Sequence, residues 1–356
     1  MKVSLPIPAR RLTVVFAALC VTQFAVAQLR GDPASKKPVV RAPVGEAPKL
    51  ENLGIVEWLQ RMHAASRDRS YVGTFVVSAA AGNLSSARIW HAREGDLQLE
   101  RVEALTGPVR STFRRNDHVM TFLADTKVVK SEKRENLELF PNLLGAPDSS
   151  IADFYGVRML GHDRVAGFDT DVVSLVPQDN LRFGYRIWSE HRSGLVVKLQ
   201  TIDGDGKIVE QSAFSELQLD APVKVHALSQ MMQSTAGYRI EKSELERTTP
   251  MSEGWQLKTA VAGFKSTSCY RRAMGGAGTR ERTVQWTFSD GLASVSLFIE
   301  PYDAQRQPQE VLLMLGATYT MTRRLVDSGG DWWLTAVGEV PPQTLAAFAQ
   351  SLARTR

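Results

Sequence analysis

Cysteine is scarce in this sequence, which holds only Cys20 and Cys269 among its 356 residues. Cys20 lies in an N-terminal apolar run that has the features of a signal removed on export. The exported chain then retains Cys269 alone, so it can form no internal disulfide and no zinc site built on paired cysteines. Its stability must come from a buried core, in which we expect Cys269 to be a partly buried small apolar side chain rather than a reactive thiol.

A strong excess of charge of either sign is also missing. The formal net charge is +5, and residues 1–27 contribute three basic side chains and no acidic one. The net charge of +2 that is left for the exported chain is too small to indicate a nucleic-acid partner. After the N-terminal run, no stretch is long and apolar enough to cross a membrane.

Sequence signatures of catalysis and of metal binding are missing as well. There is no Gly-x-Ser-x-Gly nucleophile turn and no phosphate-binding glycine loop. Asp203 and Asp205 resemble part of a calcium loop, but strands flank them and a hairpin turn explains them better. The six histidines, none of which pair at the spacing of a helical zinc site, are His63, His91, His118, His162, His191 and His226. We therefore expect no catalytic residue, no cofactor and no metal ion, although spacing leaves open a metal site assembled from distant residues.

The N-terminus predicts export. Three basic residues precede an apolar run over 12–26, and Ala25-Val26-Ala27 supplies the small residues that signal peptidase requires. We predict a cleavable signal peptide over 1–27, with a lipoprotein signal at Cys20 and an uncleaved anchor as the alternatives. Residues 28–50 contain four prolines and follow no helical or strand period, which predicts a disordered leader.

The next part of the chain predicts one helix followed by many strands. Helical spacing of the apolar residues Ile55, Trp58, Leu59, Met62 and Ala65 predicts an amphipathic helix over 52–66. Candidate strands follow over 71–77, 84–91, 97–103, 108–114, 118–124, 155–162 and 168–176, and a meander over 182–216. Tight turns require antiparallel pairing, so we predict a first domain over 51–220 made of a curved antiparallel sheet, or half-barrel, with helices.

The last third of the chain predicts a second, smaller domain. Residues 221–253 lose the strand rhythm and are interpreted as a linker. Two alternating apolar segments around Asp290-Gly291 predict a hairpin, and Pro341-Pro342 opens a predicted helix. We therefore expect an α+β fold whose C-terminal α+β domain covers 254–356.

Arginine is frequent on the predicted strands of the first domain. Its planar guanidinium suits phosphate or carboxylate, whereas a solvated outer sheet face with local ion pairs is the alternative. Aromatic residues on these strands, including Trp188, fit a core better than a ligand platform. The strand arginines are Arg88, Arg101, Arg110, Arg114, Arg115, Arg182 and Arg186.

An ordered set of short segments resembles the MucB/RseB family of periplasmic sigma-factor regulatory proteins. The segments are YVGTFV (71–76), ARIWH (87–91), TGPVR (106–110), FPNLL (140–144), DRVAG (163–167), RFGYRIW (182–188), FSDGLA (288–293), VSLFIE (295–300) and VGEVP (337–341). They run in order from about residue 52 to the C-terminus. The sequence departs from the family pattern at Phe183, where tyrosine is expected, at Ser111 and at Ser189-Glu190, which puts in doubt any contact that depends on those side chains.

The resemblance implies a function. Such proteins are negative regulators of envelope-stress signalling that bind the periplasmic domain of a single-span anti-sigma factor and shield it from regulated proteolysis. Lipopolysaccharide or a related lipid is implied as the releasing signal. The larger domain is expected to be similar in fold to periplasmic lipoprotein carriers, and the smaller one to help hold the anti-sigma segment.

We accordingly expect a periplasmic binding protein. Two other classes stay open, a lipid or lipoprotein carrier without a signalling role and an exported hydrolase, and a homo-oligomer is also left open. Position within the matching segments selects a candidate set for binding lipid or partner: Arg88, Arg110, Arg182, Arg186 and Trp188.

Overall fold

The computed structural model describes residues 54–133, 140–141, 149–242, 245–274, 281–307, 309–327 and 330–355. The predicted signal peptide over 1–27 and the predicted leader over 28–50 lie outside these residues. Within the described ranges, no helix combines the length and the hydrophobicity that a membrane span requires.

The predicted N-terminal helix is confirmed as α1, Ile55–Asp68. Its apolar stripe is buried, with Leu59 fully inaccessible and Trp58 and Met62 nearly so. At the first turn, the Glu57 carboxylate accepts the backbone N–H of Gly54 at 3.3 Å, and a negative charge there also suits the helix dipole. The stripe packs against strand residues of the first sheet, so the amphipathic pattern places the helix on one sheet face.

Over the residues that the structure describes, the first sheet has twelve strands. In chain order they are β1 (Tyr71–Ala79), β2 (Leu84–Glu94), β3 (Leu97–Ala104), β4 (Arg110–Arg115), β5 (His118–Leu123), β6 (Val128–Lys133), β7 (Tyr155–Val165), β8 (Phe168–Pro177), β9 (Gly184–Glu190), β10 (Val196–Ile202), β11 (Ile208–Leu219) and β12 (Arg239–Lys242). A short 3-10 helix, Ser149–Asp153, precedes β7.

The sheet is built outward from its middle. Its spatial order is β12-β6-β5-β4-β3-β2-β1-β11-β10-β9-β8-β7, so the chain lays down one arm from β1 and returns to β1 through β11. Phe75 on β1 lies opposite Phe214 on β11, next to an irregularity in the register. The two edges, β12 and β7, do not pair with each other. The sheet is therefore open and curved, as the strand number predicted.

Part of the predicted linker belongs to the first sheet. Residues 221–253 include helix α2 (Val225–Gln233), strand β12 and strand β13 (Leu245–Arg247). Helix α2 buries Leu228 and Met232 against Leu99 and Phe113, and it carries the chain across the sheet to its far edge. There β12 pairs with β6 in parallel, because a crossover connection permits parallel pairing where a tight turn does not.

Within the described part of the chain, the second sheet has seven strands. Besides β13, which enters it from the predicted linker, they are β15 (Lys265–Met274), β16 (Glu281–Ser289), β17 (Ser294–Pro301), β18 (Leu312–Leu315), β19 (Thr318–Asp327) and β20 (Gly330–Gly338). Their spatial order is β13-β15-β16-β17-β20-β19-β18. The β16–β17 hairpin confirms the prediction at Asp290-Gly291, and β19 pairs with β20 in antiparallel orientation.

One helix covers the second sheet. Helix α3, Pro342–Ser351, begins at the predicted prolines and buries Leu345 and Phe348 completely. Strand β14 (Trp255–Leu257) pairs with β21 (Leu352–Arg354), which follows α3 directly. Cys269 is buried in this core, which agrees with the expected apolar packing role. Burial raises the pKa of its thiol to about 11, which disfavours the reactive thiolate. The fold is thus α+β, with a large open sheet and a smaller second sheet.

Candidate functional site

The five predicted binding residues do not form one surface. Residues that pair across strands share a sheet face, and neighbours along a strand alternate between faces. Arg88 lies next to Ala87 on β2, and Ala87 lines a cavity together with Arg110. Arg88 therefore points to the opposite face from Arg110, and the sheet separates the two.

The cavity lies on the β2–β6 arm of the first sheet and has a volume of about 270 Å³. It is lined by Ala87, Glu100, Val102, Ala104, Arg110, Thr112, Arg114, Val119, Thr121 and Glu132. Burial raises the pKa of the Glu100 carboxyl, and Arg114 acts in the opposite direction. Glu132 lies 3.9 Å from the guanidinium of Arg272 on β15. The cavity therefore carries both signs of charge and borders the second sheet.

Arg88 belongs to a cation–π group on the other face. Its guanidinium carbon lies 5.3 Å from the centre of the Trp90 ring, and that of Arg101 lies 4.8 Å from the same centre. Arg101 also donates to Glu103 at 2.8 Å. Arg88 itself is exposed, so this group follows the outer-face alternative, with local ion pairing.

Arg186 and Trp188 share a face of β9. Pairing from Arg186 through Gln200 and Gln211 reaches Ser78 on β1. Ser78 shares its face with Thr74, which pairs with Arg88, so Arg186 and Arg88 lie on the same face. Trp188 is 5% exposed, and its indole N–H donates to Asp163 at 2.9 Å. Trp188 is thus mostly a packing residue, as the aromatic pattern predicted.

Arg182 is buried, contrary to the expectation of a surface arginine. Its exposure is 2%, and its Nε donates to Asp290 at 2.6 Å while Nη2 donates to the carbonyl oxygen of Ala262 at 2.7 Å. It also pairs with Asp179. A guanidinium with these partners is unavailable to a lipid, so Arg182 holds the two sheets together instead. The RFGYRIW segment gave no sign of this, because Ala262 and Asp290 lie 80 and 108 residues away from Arg182.

More contacts join the two sheets around Arg182. Thr344, in the first turn of α3, donates to the carbonyl oxygen of Leu181 at 2.7 Å. Leu292, at the β16–β17 turn, belongs to the apolar cluster that includes α1. Both sheets lie within one compact unit.

Strand β18 is the most apolar exposed element among the described residues. Its four residues are Leu312, Leu313, Met314 and Leu315, which are 52%, 59%, 50% and 69% exposed. The strand pairs with β19 on one side and is the edge of the second sheet. An exposed apolar edge strand offers unpaired backbone groups and apolar side chains together, which typifies an interaction site. The run LLML before Gly316 is the sequence signal that could have indicated it.

The tip of the β18–β19 hairpin rests on the first sheet. The backbone N–H of Ala317 donates to the Glu210 carboxylate on β11 at 3.1 Å. Burial raises the pKa of this carboxyl, while the Ala317 hydrogen bond lowers it. The free edge of β18 therefore begins next to the first sheet, and an extended segment bound along it would lie beside both domains.

Comparison with known proteins places these features in context. Residues 55–232 match the MucB/RseB N-terminal domain model, and residues 249–353 match the MucB/RseB C-terminal domain model. The sigma factor AlgU regulatory protein MucB of Pseudomonas aeruginosa is 29% identical over 309 residues, covering 83% of this chain and 90% of that protein. The sigma-E factor regulatory protein RseB of Escherichia coli K12 is 24% identical over 301 residues, covering 83% and 89%.

Two solved structures are also similar to this chain. A crystal structure of MucB in complex with MucA(peri) matches with a TM-score of 0.64 at 27% identity, covering 84% of this chain and 98% of that one. A crystal structure of MucB matches with a TM-score of 0.61 at 25% identity, covering 84% and 97%.

Proposed function

The chain belongs to the MucB/RseB family, and we propose from this that it is a periplasmic negative regulator that binds the periplasmic segment of a membrane anti-sigma factor. The observation that carries the proposal is the likeness, across both domains, to MucB in complex with MucA(peri). The relatives are named as regulators of sigma factors, so binding rather than catalysis is the activity to test.

We assign the anti-sigma segment to the free edge of β18. An extended peptide that adds to a sheet edge gains backbone hydrogen bonds, and alternate side chains supply specificity. Leu313 and Leu315 point to one face of β18 and Leu312 and Met314 to the other, so the bound segment can be covered by apolar side chains on both faces. Burying these exposed side chains contributes at about 25 cal/mol per Å² of apolar area.

Shielding from proteolysis follows from this mode of binding. A protease needs an accessible extended segment, and a segment paired with β18 has its backbone groups engaged. The degree of protection is set by the fraction of anti-sigma factor that is bound, which depends on concentration and dissociation constant. Protection therefore requires affinity and no chemistry.

We also propose that lipopolysaccharide or a related lipid releases the anti-sigma segment. Arg110 and Arg114 in the cavity supply donors for a phosphate of a lipid headgroup, although Glu100 and Glu132 oppose such a ligand. The contact between Glu132 and Arg272 connects the cavity wall to the second sheet. If lipid weakens the anti-sigma segment, the segment must weaken the lipid by the same factor.

Calorimetric titration of the exported chain with the periplasmic segment of its anti-sigma factor tests the proposal. We expect Leu313→Lys with Leu315→Lys to weaken binding at least tenfold, because two apolar contacts are lost and two charges are introduced. Leu105→Lys is the matched control, since Leu105 is 51% exposed in a loop of the first domain. Unchanged affinity in the β18 variant would show that β18 is not part of the interface. No binding by the unaltered protein would contradict the proposed regulatory function.

Repeating the titration with lipopolysaccharide present tests release. We expect weaker binding of the segment, and we expect Arg110→Ala to reduce that effect while Arg115→Ala, on the opposite face of β4, does not. Firm lipid binding without any binding of the segment would favour a lipid or lipoprotein carrier instead.

A further inference from the structure

Three side chains at one edge of the first sheet form a cluster that the proposed function does not use. They are His162 on β7, Asp171 on β8 and His191 just after β9. One ligand atom of each lies within 4.8 Å of the other two. We propose that this cluster binds a divalent transition-metal ion of the Zn²⁺ type.

The backbone ladders bring the three residues together. His162 lies directly opposite Asp171 in the β7–β8 pair, and Asp171 lies opposite Ser189, two residues before His191, in the β8–β9 pair. The backbone N–H of His191 donates to the carbonyl oxygen of Asp169 at 3.0 Å. Strand register thus sets the positions of His162 and Asp171, and the backbone hydrogen bond to β8 holds His191 just after β9. No short sequence spacing is needed.

The donor atoms already converge. Nδ1 of His162 lies 3.0 Å from Oδ1 of Asp171, and Nδ1 of His191 lies 3.0 Å from both carboxylate oxygens. A tetrahedral ion with bonds of about 2.0–2.1 Å holds its ligand atoms roughly 3.3 Å apart. Small rotations of the two rings would therefore admit the ion. The side chains of His162 and His191 are 73% and 45% exposed, which leaves room for these rotations.

The Asp171 side chain is 0% exposed. Within the described ranges the two imidazoles are its hydrogen-bonding contacts, and the Arg61 guanidinium interacts with it through charge alone. A buried carboxylate is costly unless it is paired or coordinates a metal. Neutral imidazoles can each donate one N–H to it, which orders the site. On metal binding each ring changes tautomer, so that Nδ1 binds the ion and Nε2 carries the hydrogen. The Nε2–H group can then donate a hydrogen bond to water.

The donor set selects the class of metal. Two imidazole nitrogens and one carboxylate oxygen suit Zn²⁺, Cu²⁺ or Ni²⁺, whereas Ca²⁺ and Mg²⁺ prefer oxygen ligands alone. Three protein ligands leave a fourth position for water. The guanidinium of Arg61 is close enough to interact with Asp171 and opposes a cation, whereas the nearby Glu190 carboxylate favours one.

Titration of the tag-free exported chain with ZnCl₂, followed by calorimetry, tests the site without the anti-sigma partner, so its result is independent of the proposed function. We expect one ion per chain, and at least about tenfold weaker binding in His162→Ala and in His191→Ala, since even outer-shell changes cost about 10–100-fold. His226→Ala is the matched control, because His226 is an exposed histidine on α2.

A second readout uses Co²⁺ as a spectroscopic probe. Visible absorption bands typical of nitrogen-coordinated tetrahedral Co²⁺ should appear with the unaltered protein and with His226→Ala, and should be lost in His162→Ala. Circular dichroism checks that the variants fold. We expect His162→Ala to fold, because the His162 side chain is exposed. Absence of Zn²⁺ binding, or binding that both cluster variants retain at full affinity, would overturn the proposal.

Discussion

Arg182 and Asp290 form an ion pair between the two domains in which neither side chain reaches solvent. Nε of Arg182 lies 2.6 Å from Oδ2 of Asp290. The other oxygen of Asp290 accepts the backbone N–H groups of Leu292 and Ala293 at 2.9 and 2.7 Å. One carboxylate thus shapes the β16–β17 turn and joins that turn to the first sheet, so folding of the hairpin and docking of the domains depend on the same side chain.

Removing one partner of this pair should be strongly destabilising. We expect Arg182→Met to lower the free energy of unfolding by about 3–5 kcal/mol, because Asp290 is left buried and uncompensated. Denaturant unfolding followed by tryptophan fluorescence measures the effect. Arg115→Met, at an exposed position on β4, is the control and should change stability by less than about 0.5 kcal/mol.

Replacing both partners tests how much of the lost stability comes from leaving one charge buried and unpaired. Arg182→Met combined with Asp290→Leu should recover part of the stability lost in Arg182→Met alone, since no unpaired charge stays buried. Recovery will be incomplete, because Asp290 also caps the hairpin turn. A double variant no more stable than the sum of the two single losses would contradict the role given to the unpaired charge.

Gly263 is required beside Arg182. Its φ is +81°, and a Cβ there would press on Nη2 of Arg182 and lie 2.8 Å from Cζ of Phe154. We expect Gly263→Ala to cost more than the roughly 1–2 kcal/mol of left-handed strain, because the guanidinium is fixed by several partners and cannot move away.

Gly237→Ala measures the left-handed backbone strain without a steric clash. Gly237 has a similar φ of +78° and open space around its Cβ position. Thermal unfolding of both variants should show a clearly larger loss of stability at residue 263. Equal losses would mean that the region around Arg182 relaxes freely.

His91 should make the protein sensitive to acid. It is 0% exposed, its ring stacks on Tyr71 at 4.7 Å, and its Nδ1–H donates to the carbonyl oxygen of Arg69 at 2.7 Å. Burial lowers the pKa of His91 to about 4. Between this value and the ordinary pKa of about 6.5, the unfolded chain binds a proton that the folded chain does not.

Stability contributed by neutral His91 is therefore lost as the pH falls from about 6.5 to about 4, by up to roughly 3 kcal/mol. Urea unfolding at pH 4.5, 5.5 and 6.5 measures this slope, and His91→Gln should flatten it. His226→Gln, at an exposed position on α2, should leave the slope unchanged. A parallel slope in His91→Gln would show that other groups carry the acid response.

Glu210 should order the β18–β19 hairpin. Without its carboxylate, the Ala317 N–H loses its acceptor, so Glu210→Ala should speed hydrogen exchange at Ala317 at least tenfold while leaving strand β20 protected. Glu216→Ala, at an exposed position on the same strand, is the control. Exchange at Ala317 that stays slow in Glu210→Ala would mean that β19 alone orders the hairpin tip.

Much of the candidate surface was not predictable from local pattern. Arginine at 88, 110, 182 and 186 reads alike in sequence, yet one of the four is a buried interdomain residue and Arg88 and Arg110 are on opposite faces. The difference depends on strand register and on Asp290, which lies 108 residues beyond Arg182. Proposed binding by the remaining arginines, and the likeness to lipoprotein carriers, stay predictions.

Local signals by themselves determined the secondary structure of most of the chain. The α1 stripe, the hairpin turns and the proline start of α3 act through contacts within a few residues, so they predicted their elements correctly. Tertiary structure alone decided that α2 crosses the sheet to a parallel β12, that Arg182 meets Asp290, and that His162, Asp171 and His191 converge. Each of these depends on residues that are distant in the chain and become adjacent only after the strands have paired. The hydrophobic periodicity of the sequence does not show which distant residues will meet.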